Sequence, residues 1–145
     1  MGIIEWSMIA FIVLESMNVI ILYAAPDSTY GNGLGVFNAF KTIKTTEHNA
    51  LFVKYLINWV ANAKVIFIIL LLIILIFGDD TLKFYALIGM VLSVSMYYFK
   101  LHPIIKTLDR DGHITPKGYS HKLLIMIVAI QCLFLTAIIV HALTN

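Results

Sequence analysis

Four stretches of the chain stay apolar for about 20 residues or more, the length an α-helix needs to cross the roughly 30 Å hydrocarbon core of a bilayer. They lie at 5–24, 47–77, 81–102 and 116–142, and they predict four membrane-spanning helices that fill the chain. Helices are expected despite the many Ile and Val residues. Backbone polar groups in lipid must be satisfied within the segment, and four strands cannot close a barrel. "AAPDSTYGNGLG", with Pro26 and three glycines, ends the first span and reads as a hinge. "GDD", Gly78 to Asp80, predicts a tight hairpin between the second and third spans. The third is expected to run a turn or two past Pro103. Thr115 followed by Pro116 pairs a hydroxyl cap with proline at the first helical position, which predicts the start of the fourth. The last three spans exceed what a bilayer needs, so their extra turns should project beyond it.

In the first connection, "GVFNAFKTIK" places Val36, Phe37, Phe40 and Ile43 on one side and keeps Lys41 and Lys44 outside that stripe. This predicts a short helix in the membrane interface, its lysines against lipid headgroups. Lys41, Lys44, Lys54, Lys100, Lys106, Arg110, Lys117 and Lys122 fall at one end of the four spans, and Lys83 stands alone at the other. The positive-inside rule then makes the first and third connections cytoplasmic and puts both termini outside, in an inner or plasma membrane.

Composition fits this picture, with 61% hydrophobic and 12% charged residues. A net charge of +2 gives nucleic-acid binding no support. The one cysteine, Cys132, excludes an intrachain disulfide or a CxxC motif and reads as a small core residue. "MGIIEWSM" has no basic n-region, so the first helix is expected to be retained rather than cleaved.

Ionisable groups inside a span are costly and are functional candidates by default. Glu15 sits roughly 13 Å, and Lys64 roughly 20 Å, below the same boundary at 1.5 Å rise per residue. The spans run antiparallel, so a Glu15–Lys64 pair is within reach of a lysine stem; otherwise Lys64 snorkels to the interface. Asn18 follows Glu15 by one turn. On the second span His48, Tyr55 and Asn62 recur at heptad spacing with Asn58 one turn before Asn62, forming a polar stripe. Lys64 is rotated about 200° from Asn62, so Glu15 cannot face both squarely. The asparagines are either interhelical glue or part of a ligand or ion site, and Gln131 on the fourth span is a candidate member of the same network. Gly89 and Ser93 suggest close helix packing. His48, His102 and His121 share one level near the basic end and are the candidates for haem or metal ligation.

"LDRDGHIT" matches the interior of a calcium-binding EF-hand loop at Asp109, Asp111, Gly112 and Ile114. Thr107 and Gly118 occupy the end positions, so a tight Asp–Gly turn is the better reading. No Ser/His/Asp set, paired intramembrane carboxylates or HExxH motif supports a hydrolase. Size, four spans, an early-helix carboxylate and external termini resemble the small trimeric glutathione-linked lipid enzymes of the eicosanoid family in architecture. The arginine-rich second-helix motif of that family has no counterpart in "HNALFVKYLINWVANAK".

The expectation is an all-α, polytopic integral membrane protein: a four-helix transmembrane bundle, homo-oligomeric or a subunit of a membrane complex. The leading function is transport or conduction through a polar site at Glu15, Asn18, Asn58, Asn62, Lys64 and Gln131. The alternatives are a membrane enzyme or binding protein for a lipid, quinone or haem, and an accessory subunit whose polar residues hold helices together.

Overall fold

The structure, a computed structural model, describes residues 2–144. These residues are predominantly helical, with no strand among them. Four helices are long and apolar enough to cross a membrane. The elements are α1 (Ile3–Ala24), a 3₁₀ turn (Leu34–Val36), α2 (Asn38–Ile43), α3 (Glu47–Phe77), α4 (Asp80–Lys100), α5 (His102–Arg110) and α6 (Tyr119–Thr144).

Local chemistry sets the boundaries. At the hairpin, Gly78 N–H closes α3 on the Ile74 carbonyl at 2.9 Å. Asp79 opens α4 by accepting the Leu82 N–H at 2.7 Å. Pro103 has no N–H for the Phe99 carbonyl, so the ladder breaks at Leu101 and α5 continues as a separate helix.

The fourth long helix starts at Tyr119, later than the Thr115–Pro116 pair predicts. Thr115 is used elsewhere: its N–H donates to the Val36 carbonyl at 2.8 Å and its hydroxyl to Asn38 Oδ1 at 3.0 Å. The Thr115–Pro116 peptide is cis. The cap comes instead from Asp109 at the end of α5. Its buried carboxylate accepts the N–H of Gly118 at 2.9 Å, the N–H of Ser120 at 2.8 Å and the Ser120 hydroxyl at 2.7 Å.

α1 packs against α3, α4 and α6. Towards the hairpin end, Met8, Leu87, Phe134 and Ala137 are fully enclosed, and Phe11 meets Phe134 edge-on at 5.3 Å. Towards the basic end a smaller cluster joins Leu22, Phe40, Ile57 and Ala61. Large apolar side chains such as Phe77, Leu92, Phe99 and Leu143 point outward.

The first connection is folded tightly and is not a hinge. Leu34 N–H reaches the Pro26 carbonyl at 2.7 Å and Gly35 N–H the Ser28 carbonyl at 3.0 Å. A Cβ on Gly35 would lie 1.9 Å from the Asp27 carbonyl oxygen, so only glycine fits that crossing. α2 forms where the amphipathic pattern predicts a short helix, but its apolar side turns into the protein. Val36 and Phe40 are buried, and Phe37 bridges to Ile114 of the third connection. Phe40 packs on Leu22 of α1 and on Ile57 and Ala61 of α3, while Ile43, on the same stripe, stays exposed.

Candidate functional site

Glu15 on α1 and Lys64 on α3 form an ion pair through Oε2 and Nζ. Asn18 lies one turn along α1, is buried, and gives Glu15 Oε1 a long hydrogen bond of 3.4 Å. The first connection folds back to this level: a Cβ on Gly31 would come within 2.6 Å of Asn18 Oδ1. Gly31 has φ +56°, in the left-handed region open to glycine. The Glu15 side chain is 13% exposed and that of Lys64 25%.

The exposure comes from hollow space beside the pair. A cavity of about 540 Å³ extends from Glu15 and Lys64 towards the basic end, between α4, α5 and α6. Its walls are largely apolar, including Val94, Ile105, Leu108, Leu123 and Ile127, with Tyr97, Tyr119 and Lys100 among them. A second cavity of about 400 Å³ lies between α1, α6 and the folded-back connection, again with Glu15 in its wall. A third, of about 340 Å³, opens between α1 and α3 and has both charged residues in its wall. The geometry therefore places one hydrogen-bond donor group and one acceptor group, of opposite charge, at the meeting point of largely apolar spaces.

The remaining candidates are not drawn into this cluster. Neither Asn58 nor Asn62 hydrogen-bonds Glu15. The helical rotation that separates them from Lys64 gives Glu15 the lysine face, and Asn62 accepts the Tyr23 hydroxyl at 2.7 Å instead. Gln131 donates to Ser95 Oγ at 2.6 Å, tying α6 to α4, and Ser95 in turn donates to the Val91 carbonyl. His48 and His121 are exposed, while His102 is held by Tyr97, with 3.3 Å between hydroxyl and Nδ1. Among the described residues no three His, Cys, Asp or Glu side chains gather as a metal set. Lys44 pairs with Asp27 and sits 4.2 Å above the Phe40 ring centre, whereas Lys41 is exposed. Cys132 is exposed and not a core residue. A Cβ on Gly89 would meet nothing within 4 Å, and Ser93 is exposed, so these small residues do not mediate packing within the chain.

Sequence reasoning missed two polar features. Glu5 on α1 and Lys83 on α4 form an ion pair of 3.0 Å at the hairpin end, with both side chains largely covered. The signal was present: Lys83 is the lone cation at that end, and Glu5 opens the first span at the same level. The Asp109 cap had no comparable signal, because its donors come from a turn whose path is set by the first connection. No protein-family profile, curated protein or solved structure matches the chain.

Proposed function

We propose that this is an integral membrane protein, a four-helix bundle with its basic connections in the cytoplasm and both termini outside. Its function is to bind an amphipathic molecule of the lipid or quinone type. The observation that carries the reading is the Glu15–Lys64 pair at the floor of a largely apolar cavity of about 540 Å³. That volume is within the roughly 300–1,000 Å³ of small-molecule sites, which are mostly apolar with a few converging polar groups. The pair would anchor a polar head, and the apolar walls would take the tail.

Conduction or transport, the leading expectation from the sequence, draws on the same intramembrane charges but fits less well. A carboxylate already neutralised by an ammonium is a poor cation site. In the half of the bundle beyond it Met8, Leu87, Phe134 and Ala137 are packed with no exposure, and Glu5 and Lys83 near the hairpin end are already paired with each other.

The test is to purify the protein in mild detergent and identify what it carries by mass spectrometry. A near-stoichiometric amphiphile is expected. Ile127→Trp, which puts an indole in the cavity wall on α6 and leaves both charged residues in place, should remove it while the helical circular dichroism persists. A wild-type protein that carries none, and takes up neither a single-chain acid nor a quinone, would refute the reading. Glu15-dependent ion flux in proteoliposomes would favour conduction instead.

A further inference from the structure

We propose that the ligand enters sideways from the bilayer, through the opening between α1 and α3. It is then a membrane-dissolved, single-chain amphiphile with a small head that both donates and accepts hydrogen bonds. This rests on the binding function proposed above and adds the route and the ligand class.

The opening is the third cavity, of about 340 Å³, bounded by Phe11, Trp59, Ala63 and Phe67 as well as Glu15 and Lys64. Glu15 and Lys64 also line the interior cavity of about 540 Å³, so the ion pair is the shared wall of the two spaces. Trp59 and Phe67 flank the opening and are 64% and 37% exposed, so it faces outward from the helices. Lys64 lies roughly 20 Å along α3 from its hairpin end, inside a hydrocarbon core of about 30 Å. The opening therefore faces the hydrocarbon of the leaflet at the basic end, not water.

This position selects the ligand. A hydrated ion arriving here would have to shed its water in hydrocarbon, whereas a molecule with an alkyl chain is already dissolved there. Its head meets one ammonium, which only donates, and one carboxylate, which only accepts. A hydroxyl or a protonated acid can bond to both as the pair parts, and then move through with its tail following between Trp59 and Phe67. Ala63, with its single methyl, is the small side chain in this wall, set between Trp59 and Phe67 on α3 with Phe11 across on α1, and an opening of about 340 Å³ with three aromatic rings about it suits one chain better than two.

The experiment uses the full chain in lipid nanodiscs and a fluorescent polyene fatty acid as probe, followed by stopped-flow and by equilibrium titration. Ala63→Trp, on an exposed position, should slow association and dissociation at least tenfold with little change in equilibrium affinity. Trp59→Ala, which widens the opening, should accelerate both. Ala129→Trp, exposed on α6 and in the wall of none of these cavities, should change neither. Binding with unchanged rates in Ala63→Trp and Trp59→Ala overturns the route and leaves the cavity function standing. Loss of equilibrium binding in Ala63→Trp, equal to that in Ile127→Trp, overturns it too, because the opening would then be the site itself. No binding by the wild type refutes the cavity function, and the route with it.

Discussion

At the scale of single residues, the Glu15–Lys64 pair is the feature whose energetics can be separated most cleanly. Removing one member of a fully buried pair costs about 3–5 kcal/mol, because it leaves an unpaired charge. Here the side chains are 13% and 25% exposed, so a smaller loss is expected for Lys64→Met alone or Glu15→Leu alone. Replacing both removes both desolvation penalties, so the double variant should be more stable than either single one. Unfolding in mixed micelles, run as a double-mutant cycle, checks this; losses that simply add would mean that the two groups are not coupled. Glu15→Gln keeps an acceptor for Asn18 and should cost less than Glu15→Leu. The pair was legible in the sequence because depth along a helix is a count of residues, and the two depths agree to within a lysine stem. The part played by the asparagines was not. Depth and periodicity place Asn58 and Asn62 on one stripe, but which face of α3 turns towards Glu15 is decided by packing. The Gln131–Ser95 bond depends likewise on how α4 and α6 are rotated against each other.

Helix existence follows from hydrophobic length, and all four long helices were legible at the scale of elements. Their ends were legible only where the signal is local, as at the Asp79 cap of α4. The start of α6 was not, because its cap comes from Asp109 on another helix. The same non-local logic redirects α2. The third connection pairs Phe37 with Ile114, and Asn38 binds the Gly112 carbonyl through its side chain at 3.0 Å, which holds α2 where Phe40 packs on Leu22, Ile57 and Ala61. Losing a capping side chain typically costs about 0.5–2 kcal/mol. Asp109→Ala also strands three donors, so the upper part of that range is expected. Hydrogen exchange should rise first at Gly118 and Ser120, the two amides that lose their acceptor. Asp109→Asn keeps one carbonyl oxygen and should lose less. An unchanged exchange pattern in Asp109→Ala would show that the α6 terminus is held by something else. Lys44 and Asp27, by contrast, are exposed side chains, and surface pairs of this kind contribute little.

For the whole molecule, the division of labour runs along the long axis. The hairpin end holds the larger packed core, with a polar cavity of about 360 Å³ beside the Glu5–Lys83 pair, and the basic end is the more hollow, walled by two connections bonded to each other. Composition gives four helices long and apolar enough to cross a membrane but not this asymmetry, since apolar residues are plentiful at both ends; cavities come from how helices splay. The proposed orientation follows from charge. The first and third connections meet at one end, through Asn38 N–H to the His113 carbonyl at 3.0 Å, so they must share a side whatever membrane surrounds them. Together they carry Lys41, Lys44, Lys106, Arg110 and Lys117, whereas the hairpin end offers only Lys83, and that lysine is neutralised by Glu5. Basic residues near span ends are retained on the cytoplasmic side. A cysteine placed at the exposed Thr107, in a Cys132→Ser background so that the native exposed thiol cannot interfere, should react with a membrane-impermeant maleimide only after the cells are opened. A cysteine at Asp80, exposed at the hairpin end, should react in intact cells. The reverse pattern would invert the orientation and put the hollow end, with its lateral opening, in the outer leaflet. Labelling of both sites in intact cells would show that the helices do not separate two compartments.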